Sequence, residues 1–137
     1  MLITSLALSL SMLSGKSAID TCDQGRDTRT GRNIYFTADT SPQCEIGQIE
    51  LMRRLSKSLV YQDAKIPDDG NFRYEVAFIV ETNGKISGGR VLRDNTDHIG
   101  KQILKVMESC QWRPANCHGK RVAMLYHYST ILEFRTQ

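Results

Sequence analysis

Between Phe72 and Val80 the chain alternates strictly, and an Asn83-Gly84 pair follows shortly after. Phe72, Tyr74, Val76, Phe78 and Val80 share one face of this stretch. Arg73, Glu75 and Glu81 take the other, with Ala77 and Ile79 between them. A period of two means a strand, here with one side buried and the other largely wet. Asn-Gly is the strongest short hairpin signal, because both residues tolerate positive φ. The return strand, Lys85–Arg93, carries Gly88-Gly89, which predicts a bulge or the close approach of another element. A chain that begins a sheet this way must find cover for one face of it.

Two helical patterns supply that cover. Ser41-Pro42 reads as N-cap and first helical position, where proline's missing N–H costs nothing. Ile46, Ile49, Met52, Leu55 and Leu59 then recur at helical spacing, with Leu51 widening the stripe. The spacing predicts a helix over Pro42–Leu59, with Glu50, Arg53, Arg54 and Lys57 on its solvated side. A second helix over Asp97–Cys110, capped by Asn95 or Thr96, would bury Ile99, Ile103, Val106, Met107 and Cys110. Pro114 stops it. Trp112, just past its end, is expected as a core aromatic whose N–H finds a carbonyl. A last long strand sets Val122, Met124, Tyr126, Tyr128, Thr130, Leu132 and Phe134 against Ala123, Leu125, His127, Ser129, Ile131 and Glu133. The expected fold is α+β: a three-stranded antiparallel sheet packed on one face by two helices.

The 137 residues make one small domain. Residues 2–13 form an apolar run too short for a spanning helix, which needs roughly 20 residues, but suited to the core of a secretory signal. The expected organisation is a cleaved signal over 1–18, an amino-terminal extension over 19–41 and the folded domain over 42–135. Localisation is then periplasmic or secreted. Cys22 stands where a lipid-modified cysteine would, but Asp20 and Thr21 before it argue against a lipoprotein. Four cysteines, Cys22, Cys44, Cys110 and Cys117, suit an oxidising compartment. They allow three pairings. Cys110 with Cys117 would clip the second helix to the loop before the last strand; Cys22 with Cys44 would tie down the amino-terminal segment.

Lys and Arg number 18 against 15 Asp and Glu, and they are scattered, so a nucleic-acid surface is not expected. The three histidines, His98, His118 and His127, lie at a helix start, in a loop and on a strand. Cys117-His118 reads as a disulfide cysteine beside a solvated histidine rather than a thiol catalyst. Cys110, Cys117 and His118 match no common zinc spacing. Asp68-Asp69 before Gly70 are turn residues, and Ser87-Gly88-Gly89-Arg90 lacks the helix a phosphate loop requires. The expectation is a binding protein, not an enzyme, without metal or cofactor.

The order of these pieces resembles the TonB carboxy-terminal domain, in the form found in TonB-like proteins of Bacteroidetes-type bacteria. The resemblance rests on Leu59-Val60-Tyr61-Gln62-Asp63-Ala64, the Phe72–Val80 strand and the Asn83–Ile86 turn. It continues through Val91-Leu92-Arg93, the Ile99–Cys110 helix, Trp112-Arg113-Pro114-Ala115 with Gly119-Lys120-Arg121-Val122, and a closing strand to Phe134. Gln62 stands where that family has proline. The resemblance implies a module that captures an extended segment of an outer-membrane transporter, or of another envelope protein, as an added strand. It places the recognising edge on the last strand, at Ala123, Leu125, Tyr126, His127, Tyr128 and Ser129, with Tyr61 and Gln62 beside the partner. The alternative is an exported structural or regulatory domain that forms a homodimer through that same strand.

Overall fold

A computed structural model describes residues 21–60, 67–96 and 98–133. The candidate signal, Tyr61, Gln62, Asp97 and Phe134 lie outside the described residues. Along the chain run β1 (Gln24–Arg26), β2 (Asn33–Tyr35), β3 (Gln43–Cys44), α1 (Gln48–Ser58), β4 (Asn71–Val80) and β5 (Ile86–Asp94). They are followed by α2 (Ile99–Glu108), β6 (Trp112–Arg113), β7 (Ala115–Cys117), β8 (Lys120–Val122) and β9 (Met124–Glu133).

The fold is α+β, but the sheet has five strands in the order β1-β2-β9-β4-β5 rather than three. Its centre is the expected one: β4 pairs antiparallel with β9, from Asn71 opposite Glu133 to Val80 opposite Met124. The hairpin to β5 turns through three residues, closed by the Glu81 N–H on the Lys85 carbonyl at 2.8 Å. Only Gly84 of the Asn83-Gly84 pair has positive φ, at 81°. The β4–β5 register slips between Ala77 and Ile79, opposite Gly88 and Gly89, so the expected bulge is there.

The two extra strands come from the polar segment read as an extension. Asp27 organises its turn: its carboxylate accepts the Thr30 hydroxyl at 2.6 Å and the Thr30 N–H at 3.2 Å. Gly31, at φ 73°, donates its N–H to the Asp27 carbonyl and completes the reversal. This hairpin then joins the sheet through β2, which runs parallel to β9 and pairs Tyr35 with Met124.

Phe72, Tyr74, Val76, Phe78 and Val80 are all buried under the two helices, as alternation predicts. The other face is not wet along its whole length. Ala77 and Ile79 are fully buried there, in a cluster with Ile34 and Leu125. The cover is closed by a buried ion pair, in which Arg90 donates to both Asp27 carboxylate oxygens at 2.7 and 2.8 Å.

The first helix differs most from expectation. It starts at Gln48, not Pro42, because Gln43–Cys44 is drawn out as a strand against Trp112–Arg113. Gly47, at φ 84°, makes the turn from strand to helix. The buried stripe is Leu51, Leu55 and Leu59, with Ile49 81 % exposed and Ile46 and Met52 at the surface. Gln102 fastens the end of α1 to α2, accepting the Val60 N–H at 2.8 Å and donating to its carbonyl at 3.1 Å. The second helix buries its expected residues, Ile99, Ile103, Val106 and Met107, with Cys110 just beyond its end. Its cap differs: Asp94 reaches over to accept the Gly100 N–H at 2.7 Å, in place of Asn95 or Thr96. A Cβ on Gly100 would sit 2.7 Å from Val91 Cγ1, so only glycine lets α2 approach β5 this closely.

The disulfides join Cys22 to Cys117 and Cys44 to Cys110, neither of the two pairings spelled out above. Their Cα separations, 6.1 and 6.0 Å, lie within the range such bridges span. Sequence alone left all three pairings open. The His118-Gly119 hairpin between β7 and β8, both residues at positive φ, turns Cys117 toward the amino-terminal segment. Among the described residues no helix is long and apolar enough to cross a membrane.

Candidate functional site: the free edge of the last sheet strand and its groove

The side of β9 facing away from β4 is only partly occupied. The Tyr35 N–H donates to the Ala123 carbonyl at 3.0 Å, and β2 pairs no further than Met124. Backbone groups on one side of a strand recur every second residue. The N–H and C=O groups of His127, Ser129 and Ile131 therefore point the same way as that bonded carbonyl, past the end of β2. Among the described residues no strand pairs with them. From Met124 to Ile131 this strand has no Lys, Arg, Asp, Glu or Pro.

The structure separates the candidate binding residues into three groups. Ala123 is engaged by β2, and Leu125 is buried against Ile34, Ala77 and Ile79 on the second face. His127 and Ser129 are exposed on the free stretch. Tyr126 and Tyr128 point to the helical side and are half-buried. Tyr61 and Gln62 lie outside the described residues.

On that helical side a groove of about 170 Å³ runs between the start of α1 and β9. Leu51 and Trp112 back it, Tyr126 and Tyr128 form its strand side, and Cys44 and Met52 complete the walls. Gln43, Gly47 and Gln48 form its exposed rim, and the buried Pro42 also lines it. Trp112 is fixed as the sequence predicts: its Nε1–H donates to the Met107 carbonyl at 2.9 Å. It meets Phe78 edge-on at 5.2 Å and Tyr126 at 5.4 Å between ring centroids. The Tyr128 hydroxyl donates to the Met52 sulfur at 3.2 Å. Burial pushes both tyrosine hydroxyls above their ordinary pKa, so they stay neutral at physiological pH. Among the described residues none that lines the groove carries a formal charge.

Sequence reasoning missed the rim because it lies where the helix was expected to begin. The turn-forming Gly47 inside an otherwise helical pattern was the available signal.

The chemistry considered for Cys117-His118 takes a different form. Cys110 is bonded to Cys44, while Cys22, Cys117 and His118 bring ligand-type atoms within 4.8 Å of one another. With the two sulfurs bonded to each other, that cluster offers no thiolate to a metal. The chain matches no protein-family model and no curated protein.

Proposed function

We propose that this chain is a periplasmic or cell-envelope interaction module of TonB type. In this reading it binds an extended segment of an envelope partner, such as an outer-membrane transporter, by adding it as a strand alongside β9. One observation carries it: beside an apolar groove, the stretch His127–Ile131 has no Lys, Arg, Asp or Glu, and its outer edge pairs with no strand among the described residues. Backbone N–H and C=O groups there supply affinity, and the side chains on either face supply selectivity. Natural sheets protect exposed edges with charges, prolines or bulges, and this stretch has none of them. The motif order that resembles the TonB carboxy-terminal domain names the class of partner, and the two disulfides suit an oxidising compartment. The module is read as a binder without catalytic role, metal or cofactor.

The test is hydrogen exchange on the oxidised protein with peptides copied from extended transporter segments. Binding should protect the amide N–H groups of His127, Ser129 and Ile131. Saturating peptide that leaves those three amides exchanging as before would sink the reading.

The same lack of charge favours one alternative, self-association. A second copy pairing antiparallel through β9 would set Ser129 opposite Ser129 and His127 opposite Ile131, with no like charges facing each other. A mass that rises with concentration, and falls when peptide is added, would assign the edge to both roles.

A further inference from the structure

We infer that the groove between α1 and β9 is a side-chain subsite that takes one aromatic ring from the strand added to β9. This rests on the strand-addition reading and says what that strand must carry.

A strand laid against His127–Ile131 sends every second side chain to the helical face, alongside Tyr126 and Tyr128. Those two residues form the strand side of the groove, so a side chain sent that way enters it. The space, about 170 Å³, is close to the ~150 Å³ of an apolar cavity known to hold benzene. It suits one ring and is too small for two.

The lining selects the chemistry. Eighteen basic and fifteen acidic residues are distributed over this chain, yet among the described residues none lines the groove. A charged side chain entering it would lose water and find no counter-ion. Phe78, Trp112 and Tyr126 already pack ring against ring, and a fourth ring can extend that cluster edge-to-face. Met52 adds a polarizable sulfur, a favourable neighbour for a ring edge. The entrance stands open at Gly47, where a Cβ would meet nothing within 4 Å. The glutamines at the rim offer hydrogen bonds to a ring that carries a hydroxyl or an indole N–H.

The test uses two uncharged ten-residue peptides of alternating Thr and Val that differ only at one central position, Phe against Ala. Indole serves as a free ring probe. The Phe peptide should bind at least tenfold tighter than the Ala peptide. Gln48→Trp, a surface change that fills the groove from its rim, should remove that difference. It should leave the Ala peptide's affinity, and the protection of the His127 and Ser129 amides, intact. Equal affinity for the two peptides, with those amides protected, would overturn the subsite while sparing the edge. If neither peptide protects the amides, strand addition fails for these sequences and indole decides the subsite. Chemical-shift changes confined to Leu51, Trp112, Tyr126 and Tyr128, and lost in Gln48→Trp, would uphold it. No such changes would overturn it.

Discussion

The long strands that end the helix-covered part of the sheet, β5 and β9, present their outer edges very differently. β5 carries Arg93 and Asp94, besides the buried Arg90, and is bulged at Gly88, which has φ 58°. Charge and bulge together make a poor template for another strand. β9 is regular and pairs with β4 without a slip along its length. Its first Asp, Glu, Lys or Arg is Glu133, at its very end. Sheet stability cannot explain the contrast, since both strands are held firmly by β4. It follows if one edge is kept closed to partners and the other is kept open for one.

The largest effect should come from removing what ends the free edge of β9. The Cys22–Cys117 bridge spans 95 residues and anchors the strand that leads into β1 and β2. Closing so long a loop restricts the unfolded chain by about 4–5 kcal/mol. Cys22→Ala with Cys117→Ala should lower unfolding stability in urea by that order. Hydrogen exchange should also rise at Leu125, next to the Ala123 carbonyl that β2 now occupies. If Leu125 stays protected, β2 is held by its other contacts, and the limit of the edge does not depend on the bridge.

Next comes the pair that gives β5 part of its charge. Arg90 does not point outward: it is buried with Asp27 and seals the second face. Asp27→Ala strands a buried guanidinium and should cost about 3–5 kcal/mol. Asp27→Leu with Arg90→Met should recover much of that loss, because an apolar pair needs no counter-charge. The pair also sets a pH dependence. Hydrogen bonds, first from Arg90 and then from Thr30, hold the Asp27 carboxyl well below the usual carboxylate range. A pKa depressed on folding gives stability that is complete above the unfolded value, near 3.9, and drains away as pH falls below it. Asp27→Asn should therefore flatten the acid side of a stability–pH curve. An unchanged acid limb would mean that other carboxylates, such as Glu81 beside Arg32, set it.

These features also mark how far the sequence could be read. β4, the turn after it, the buried face of α2 and the Trp112 hydrogen bond were all legible, because alternation, helical period and turn chemistry act over a few neighbouring residues. The amino-terminal hairpin was legible only as a short strand-like piece over Asn33–Thr37, where β2 lies, and its place in the sheet was not. It buries one large apolar side chain on the sheet's second face, Ile34, and closes with an ion pair between residues 63 apart, which leaves no local period to detect. The start of α1 was misplaced because Pro42 is a sound first helical residue in isolation. The competing demand came from Cys44, which pairs with Trp112 in a strand and with Cys110 through sulfur. The tyrosines of the last strand were legible as positions, whereas the groove beside them exists only because α1 begins late.

The smallest change in stability should give the sharpest view of the two edges. Ser129 and Leu92 are both exposed, one on β9 and one on β5. Lysine at either site is a surface substitution and should shift stability by no more than about 0.5 kcal/mol. Binding should separate them. Ser129→Lys gives β9 the kind of guard that β5 already has, setting a charge beside the incoming strand. It should weaken an added peptide at least tenfold, which is about 1.4 kcal/mol. Leu92→Lys adds one more charge to an edge already closed and should leave peptide affinity unchanged. If Leu92→Lys weakens binding as much as Ser129→Lys, the added strand sits on β5, and the absence of charge along β9 needs another cause.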